Sequence, residues 1–480
     1  MTVRSSETPL SAVEQARLVR ARTISPVELC ERTIDRISVV QPRLNCLAHL
    51  WADDALEQAR SAAESIARDE PVGPLHGVPV LVKETTPVCG RPWTMGSLVF
   101  RDTVADRDAT IVRSLRAAGA VIVGATTSPE FAHTLQTDSP LWGVTRNPWN
   151  PRFTPGGSSG GSGAAVASGC VALAEGTDMG GSVRIPAAWS GVVGLKPGIG
   201  RIPMDVLPGL FDSLSHHGPL ASSVDDARLF LACTQGPDES DPLSLTTPLD
   251  LRDPTPGDVR GMRLGLSIDL GSWWVHPEIV DAVEGTARAL ETAGAIVEPV
   301  DVQFGEQEEL LWLRLWGVFM SGYYGHLVDE HADELDPDVV RLVELGRSLS
   351  ATELKRLEIE RSEVWRRMAR ALAGRDALIC PTMATPPLPA AKADREPTRR
   401  PDDGRCHAAD MTALFNLVGP CPAMSVPCGA HTADPYSGMP IGLQIVGQRW
   451  REDVVLRVGR AVELARPEFT LANSAHRSRW

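Results

Sequence analysis

The side chains best suited to chemistry are concentrated in a block rich in glycine and serine, residues 147–200. Apolar segments recur within this block, whereas disordered linkers lack groups to bury, so we expect it to fold into the core. Residues 157–161 match G-x-S-x-G, the nucleophile elbow of α/β-hydrolases. That elbow needs a strand directly before it, but residues 150–155 are polar and contain two prolines. The block therefore indicates serine chemistry in another arrangement.

Lysine is scarce in this chain, since the total of 47 Lys and Arg residues includes only Lys83, Lys196, Lys355 and Lys392. A compositional bias toward arginine explains the scarcity. Lys83 ends a short apolar run, residues 77–83, which predicts a buried strand. Burial without a carboxylate partner lowers the pKa of a lysine, and a neutral lysine can act as a base. Arginine, with a pKa above about 12, cannot replace lysine in that role.

Several spaced motifs resemble those of the amidase signature family. Residues 155–169 read PGGSSGGSGAAVASG, residues 176–188 read GTDMGGSVRIPAA, and residues 191–197 read GVVGLKP. Upstream, LHGVPVLVK at 75–83 is similar to the family's lysine strand. Downstream, NLVG at 416–419 and GMPIGLQ at 438–444 are similar to its C-terminal elements. The resemblance extends over about residues 10–465.

This resemblance implies a Ser–cis-Ser–Lys triad. Ser182 would be the nucleophile, Ser158 the bridging serine after a cis Gly157–Ser158 peptide bond, and Lys83 the base. The separations, 75 residues from Lys83 to Ser158 and 24 from Ser158 to Ser182, are similar to those of the family. A serine hydroxyl attacks an amide only when a base removes its proton, and an amine leaves readily only once it is protonated. A relay through Ser158 would let one lysine serve both steps.

The glycine loop before Ser182 has a predicted role of its own. Consecutive backbone amides free of bulky side chains can bind the oxyanion of a tetrahedral intermediate. The predicted donors are the N–H groups of Met179, Gly180, Gly181 and Ser182. The residues predicted to support the loop without reacting are Thr177, Asp178, Arg184 and Ser159.

The predicted elements around these residues alternate between helix and strand. A helix over 108–118 and a strand over 120–124 follow the lysine strand, and such alternation is typical of α/β proteins. A helix over 162–168 follows the first serine motif. The resemblance implies a single α/β/α domain, residues 1–480, around a mixed and largely parallel sheet. It would carry a helical N-terminal region, about 10–70, and pocket insertions at about 203–217, 306–327 and 385–406.

The predicted activity is hydrolysis of amide C–N bonds through an acyl-enzyme on Ser182. Candidate pocket walls are 130–143, which includes Trp142, 202–217, which includes Phe211, and an aromatic segment at 312–324. Their apolar residues favour a hydrophobic or aryl amide, with carbamates as a further possibility. The aromatic segment by itself, at helical spacing, is more typical of core packing than of a pocket. The alternative function is the glutaminase subunit of a tRNA-dependent amidotransferase; an inactive binding protein conflicts with an intact triad.

Composition narrows the class of protein further. A net charge of −14 argues against binding nucleic acid or an anionic membrane by bulk electrostatics. Nine dispersed cysteines without a C-x-x-C pair suit a reduced cytoplasm, the predicted location. No metal and no organic cofactor is expected. The expected partner is a small amide or carbamate substrate, and the expected state is a monomer or homodimer.

A few residues near the motifs carry weaker expectations. Lys196 is expected to form a structural salt bridge. His216 and His217 are expected to be surface or structural residues, with a pocket position as the alternative. Two positions depart from the family's usual wording: Glu84 stands where aspartate is usual after the lysine, and Gly198 stands where threonine is usual. Neither belongs to the triad, but either could alter the nearby shape.

Overall fold

Eleven strands form one mixed sheet in a computed structural model, which describes residues 10–392 and 403–473. The strands of this sheet are β1 (Leu47–Leu50), β2 (Pro79–Lys83), β3 (Val121–Thr126), β6 (Leu173–Asp178), β7 (Val193–Lys196), β8 (His216–Ala221), β9 (Arg263–Leu266), β10 (Ile296–Pro299), β11 (Ala377–Pro381), β12 (Ala423–Ala430) and β13 (Pro440–Gly447). Two short strands, β4 (Asp138–Ser139) and β5 (Gly143–Val144), pair separately. The strand order in the large sheet is β1-β3-β2-β6-β8-β7-β12-β13-β11-β9-β10.

Helices cover both faces of this sheet. In the described residues they are α1 (Ala12–Arg20), α2 (Pro26–Leu44), α3 (Ala52–Ala67), α4 (Thr110–Ala117), α5 (Gly160–Ala167), α6 (Arg184–Ser190), α7 (Val224–Thr234), α8 (Pro277–Thr292), α9 (Glu306–His331), α10 (Pro337–Arg347), α11 (Ala351–Ala371), α12 (Leu414–Leu417) and α13 (Glu452–Ala465). None of these helices is long and apolar enough to cross a membrane.

Alternation along the strands produces the layers, because successive side chains point to opposite faces. In β2, Val80 and Val82 pack in a core with residues of α4, α7 and α13, whereas Leu81 packs in a second core with α2, α3 and α5. In β11, Ile379 belongs to the first core, and Leu378 packs with α11 in a third. The predicted α/β architecture with a mixed sheet is therefore confirmed.

Two details differ from the sequence analysis. Parallel pairing does not dominate the sheet, since four pairs (β2–β3, β2–β6, β9–β10 and β9–β11) are parallel and the other six are antiparallel. The N-terminal region contains α1, α2 and α3, but β1 lies between α2 and α3 and pairs with β3 at the edge of the sheet. Polarity within a strand does not reveal which neighbour the strand will pair with, so neither detail could be read from local patterns.

The three adjacent parallel strands β3, β2 and β6 position residues of the candidate site at their carboxyl ends. The carboxyl ends of parallel strands meet at one edge of a sheet. At this edge β2 ends with Lys83, and β6 ends with Thr177 and Asp178. The buried helix α5 follows the first serine motif, close to the predicted range, and α6 follows Ser182. Of the predicted insertion at 385–406, residues 393–402 lie outside the described residues.

Candidate active site

Lys83 is fully buried at the end of β2, and its terminal nitrogen contacts two hydroxyl groups. Its Nζ lies 2.6 Å from Ser158 Oγ and 2.9 Å from Thr177 Oγ1. Burial lowers the pKa of Lys83 from 10.5 to about 7, although the negative charges of Glu175, Asp178 and Glu84 oppose this shift. A substantial fraction of Lys83 is therefore neutral near pH 7, as a lysine base requires.

Ser158 and Ser182 come together because the turn before α5 lies against the turn before α6. The Gly157–Ser158 peptide bond is cis, as the resemblance implies. The N–H of Ser159 donates to the carbonyl of Ser182 at 3.1 Å, which ties the two serine motifs to each other. Ser159 Oγ also lies 3.3 Å from both the carbonyl and the N–H of Thr177.

The glycine loop is held by its carbonyl groups. Trp312 Nε1 donates to the carbonyl of Met179 at 3.0 Å, and Thr412 Oγ1 donates to the carbonyl of Gly180 at 2.7 Å. The C=O and N–H of one peptide unit point in opposite directions, so these bonds orient the N–H groups that follow. The N–H of Gly181 donates to Asp178 Oδ1 at 2.8 Å. Of the four predicted oxyanion donors, Gly181 is therefore already engaged.

Asp178 and Arg184 form the buried support of this loop. Their side chains are completely buried, and Arg184 Nη2 lies 2.9 Å from Asp178 Oδ1. Asp178 Oδ2 accepts a hydrogen bond from the N–H of Val183 at 3.2 Å. Asn416 donates to Asp178 Oδ1, and Arg184 donates to Gln444 at 2.7 Å. Burial would raise the pKa of Asp178, but Arg184 and the hydrogen bonds hold it well below its usual range. The carboxylate thus stays charged and holds the loop through these contacts.

Two cavities meet at Ser182. The first, here called the wide cavity, has a volume of about 190 Å³. Its walls include Leu135, Ile185, Trp273, Trp312, Leu313, Trp316 and Leu414, with Glu309, Asp410 and Thr412 as polar members. The second, the narrow cavity, has about 80 Å³ and also contains Ser158 and Thr177. Its apolar walls are Trp93, Met95, Phe131, Met179, Met204, Val206, Leu207, Trp316, Phe319 and Tyr324.

The predicted pocket walls are only partly those observed. Each of the three candidate segments contributes residues to the cavities, but Trp142 and Phe211 line neither. Trp142 Nε1 donates to Glu84 instead, and Phe211 is 80% exposed. The aromatic side chains of α9 serve both purposes, because Trp312, Trp316 and Phe319 face the cavities while packing on their neighbours. Core packing and a position in the pocket wall, the two interpretations that the sequence left open for this stripe, therefore both hold.

Three residues next to the motifs are structural. Lys196 is buried and donates to the carbonyls of Pro197 (3.0 Å) and Cys421 (2.9 Å), so the predicted salt bridge is wrong. His216 is buried, with its ring nitrogens at the carbonyls of Asp178 and Gly419. His217 Nδ1 lies 2.7 Å from Glu175 Oε1. Neither histidine lines the cavities, which confirms their structural interpretation.

Sequence reasoning missed the contribution of the segment that precedes α12. Thr412 holds the Gly180 carbonyl and lines the wide cavity, and the Arg184 guanidinium also donates to the carbonyl of Thr412 at 2.9 Å. Trp93 and Met95, in the loop after β2, were missed as well. No local pattern marks these positions, since they reach the site only through the sheet and the packing of α9.

Comparison with known proteins relates the chain to one family over nearly its whole length. The sequence model of the family described as Amidase matches residues 28–456. An acylamidase of Rhodococcus erythropolis is 35% identical over 465 residues, which cover 95% of this chain and 96% of that protein. A glutamyl-tRNA(Gln) amidotransferase subunit from Thermosynechococcus vestitus is 34% identical, covering 92% of this chain and 95% of that protein.

Among solved structures, the chain is similar to a bacterial aryl acylamidase described as belonging to the amidase signature enzymes. The two share 32% sequence identity with a TM-score of 0.90, and the match covers 97% of this chain and 99% of the other. The similarity in fold therefore includes the whole sheet and the segments that carry the site.

Proposed function

The chain belongs to the amidase signature family of hydrolases, and we propose that it cleaves amides of hydrophobic aryl amines through an acyl-enzyme on Ser182. One observation carries this proposal most directly. A completely buried lysine, with its pKa near 7, lies 2.6 Å from the hydroxyl of Ser158, and Ser158 shares the narrow cavity with Ser182. This is the arrangement that a neutral lysine needs to withdraw a proton from a serine through a second hydroxyl.

In the acylation step, the Ser182 hydroxyl oxygen attacks the carbonyl carbon of the amide. Its proton passes to Ser158 as Ser158 gives its own proton to neutral Lys83. The carbonyl oxygen becomes an oxyanion, which backbone N–H groups of the 179–182 loop stabilise. Lys83 then returns the proton through Ser158 to the amide nitrogen, the C–N bond breaks, and the neutral amine departs. Ser182 is left as an ester of the acyl group.

Deacylation uses the same relay in reverse. A water molecule replaces the amine, and Lys83 removes one of its protons through Ser158 as the water oxygen attacks the ester carbon. The collapse of the second tetrahedral intermediate breaks the bond to Ser182 Oγ, which takes a proton back from the relay. The products are a carboxylic acid and a regenerated serine.

The two cavities suggest where each half of the substrate lies. Ser158 must deliver a proton to the leaving nitrogen, and it lines only the narrow cavity. We therefore assign the amine half to the narrow cavity and the acyl half to the wide one. Most walls of the narrow cavity are aromatic, aliphatic and thioether side chains, which suit a flat aryl group, and its polar members include Thr85, Asp178 and Ser215. Aryl carbamates would present the same ring to this cavity.

Glutamine hydrolysis for an amidotransferase is the alternative, and the amidotransferase subunits match with similar identity. The cavity walls disfavour it. Free glutamine carries an α-carboxylate, which a glutaminase must bind with a cationic group. Among the described residues, no arginine or lysine lines either cavity. We expect that an apolar anilide will be a far better substrate than glutamine.

The test is a substrate panel on the purified chain with no partner added: an acylanilide, the matching primary amide, an aryl carbamate, an ester and glutamine. We expect turnover of the anilide and no detectable release of ammonia from glutamine. Ser182→Ala should abolish turnover and labelling by a fluorophosphonate, and Ser139→Ala, outside both cavities, is the matched serine control. Wild-type turnover by Ser182→Ala would refute the mechanism, and glutaminase activity would favour the alternative.

A further inference from the structure

Glu84, which follows the lysine of β2, is buried and bound by donors from three separate segments. Its Oε2 accepts from Thr94 Oγ1 at 2.7 Å and from Trp142 Nε1 at 2.7 Å. Its Oε1 accepts from Ser128 Oγ at 3.1 Å. One carboxylate therefore joins the loop after β2, the segment after β3 and the turn between β4 and β5 to the end of the lysine strand.

Two of these segments form walls of the narrow cavity. Met95 follows Thr94, Phe131 lies three residues after Ser128, and both side chains line the cavity. The N–H of Phe131 donates to the carbonyl of Met95 at 2.8 Å, so the two walls are also joined to each other. Glu84 itself lines neither cavity, so it acts on the wall from outside it.

The backbone of these walls is unfavourable by itself. Met95, Phe131 and Ala132 have φ values of 51°, 50° and 58°, in the left-handed region that residues with a side chain rarely adopt. Such conformations persist only where surrounding contacts determine them. Glu84 binds Thr94, directly before Met95, and Ser128, three residues before Phe131, and these contacts help to determine the conformation.

We propose that Glu84 is a positioning residue that holds the wall of the narrow cavity at a fixed distance from the Lys83–Ser158 pair, and so selects for a bulky aromatic leaving group. This inference rests on the proposed function, because it assigns the amine half to the narrow cavity. Aspartate at this position would have a side chain shorter by one methylene group. It could not reach Trp142 and Thr94 while keeping Ser128, so the walls would move relative to the relay.

Glu84 also contributes to the electrostatics of Lys83. Burial raises the pKa of Glu84 to about 7, and its negative charge raises the pKa of Lys83. The other ionisable groups around this cluster are Glu175 and Asp178, which act on Lys83, and Glu130, whose pKa burial raises to about 7. Removing the charge of Glu84 while keeping its shape should therefore allow Lys83 to be neutral at a lower pH.

The first experiment compares Glu84→Asp with the wild type on two amides that share one acyl group, an anilide and the primary amide. A displacement of about 1 Å can lower a rate by about 10²-fold, so kcat/KM for the anilide should fall by about 10- to 100-fold. The leaving group of the primary amide is ammonia, which does not fill the narrow cavity. The kcat/KM for this substrate should therefore change less than about threefold. An equal loss on both substrates, or no loss on either, would overturn the proposal.

The matched control is Glu463→Asp, because Glu463 is also buried and accepts a backbone N–H, from Val224 at 2.8 Å, far from the cavities. Glu463→Asp should alter stability without changing the ratio of kcat/KM for the anilide to kcat/KM for the primary amide. If Glu84→Asp does not fold, Trp142→Phe and Thr94→Val each remove one donor and should shift the same ratio in the same direction. A ratio unchanged in both would also refute the proposal.

The second readout is the pH dependence of the reaction of Ser182 with a small alkyl fluorophosphonate, which does not require an amide substrate. In Glu84→Gln we expect the midpoint of this rate to move to lower pH, on the order of half a unit. A merely structural role would leave the midpoint in place, which would refute the link to Lys83. If the wild type itself fails to react with the probe or the anilide, the proposed function is wrong, and that result is distinguishable from a failure confined to the variants.

Discussion

Replacing the buried Lys83 with methionine should have opposite effects on activity and on folding stability. Methionine keeps an unbranched side chain of similar length but cannot accept a proton. Loss of a general base lowers rates by about 10²–10⁴-fold, so kcat/KM for an acylanilide should fall by at least this factor. The kcat/KM of Lys83→Arg should fall nearly as much, although this variant conserves the positive charge, because a guanidinium with a pKa above about 12 stays protonated.

Lys83→Met should lower activity but raise the free energy of unfolding at pH 7. The pKa of Lys83 falls from 10.5 to about 7 on folding, so the folded protein binds this proton more weakly than the unfolded chain. This costs about 4 kcal/mol of folding free energy at pH 7 and about 5 kcal/mol at much lower pH; the cost declines as pH rises above 7 and vanishes above 10.5. Methionine removes the cost but also the two hydrogen bonds of Nζ, each contributing about 1 kcal/mol. Lys83→Met should therefore be about 2 kcal/mol more stable at pH 7.

Two measurements check this reasoning. Denaturant unfolding of both proteins between pH 7 and 10 should show that the advantage of Lys83→Met shrinks with pH and then reverses. In the wild type, kcat/KM should rise with pH through about 7 as Lys83 becomes neutral, and Lys83→Arg should show no such rise. A wild-type profile that is flat from pH 5.5 to 8.5, or a variant advantage that does not depend on pH, would refute the assignment of a neutral buried lysine.

The contacts of the glycine loop and of the surface lead to three further predictions. Gly180→Ala should reduce turnover by at least about 10²-fold, since a Cβ would overlap the Trp312 ring and displace the loop that we propose stabilises the oxyanion; activity within threefold of wild type would contradict this. Asp178→Ala should destabilise the protein by about 3–5 kcal/mol in denaturant unfolding, because it leaves Arg184 charged and buried without its partner. Phe211→Ser should keep anilide turnover within about twofold, because this exposed ring lines neither cavity and exposed substitutions are usually mild; a large loss would place it at the substrate.

Part of the candidate site could be predicted because its motifs are local. Residues 157–161 and 179–182 must turn sharply between a strand or loop and a helix, and glycines with positive φ, such as Gly156 and Gly181, make these turns possible. The apolar run before Lys83 predicted the burial that lowers its pKa, and the structure has Lys83 at the end of a buried strand.

The failures have a common physical origin. The salt bridge expected for Lys196 requires a carboxylate partner, but the side chain ends at two backbone carbonyls, one of them 225 residues away in sequence. The sequence singled out Glu84 as a departure from the family, but not its three donors, which come from three separate segments. Such partners are determined by the packing of distant elements, for which a local pattern carries no information.

The sequence by itself determined the family, the α/β class and the candidates for the reacting residues, since these depend on residue type and spacing along short segments. Only the tertiary structure decided how far Lys83 is desolvated, which N–H of the 179–182 loop is already hydrogen-bonded, and which side chains line the cavities at Ser182. The physical reason is that pKa and cavity shape depend on every group within a few ångströms, and around Ser182 those groups range from Trp93 to Leu414.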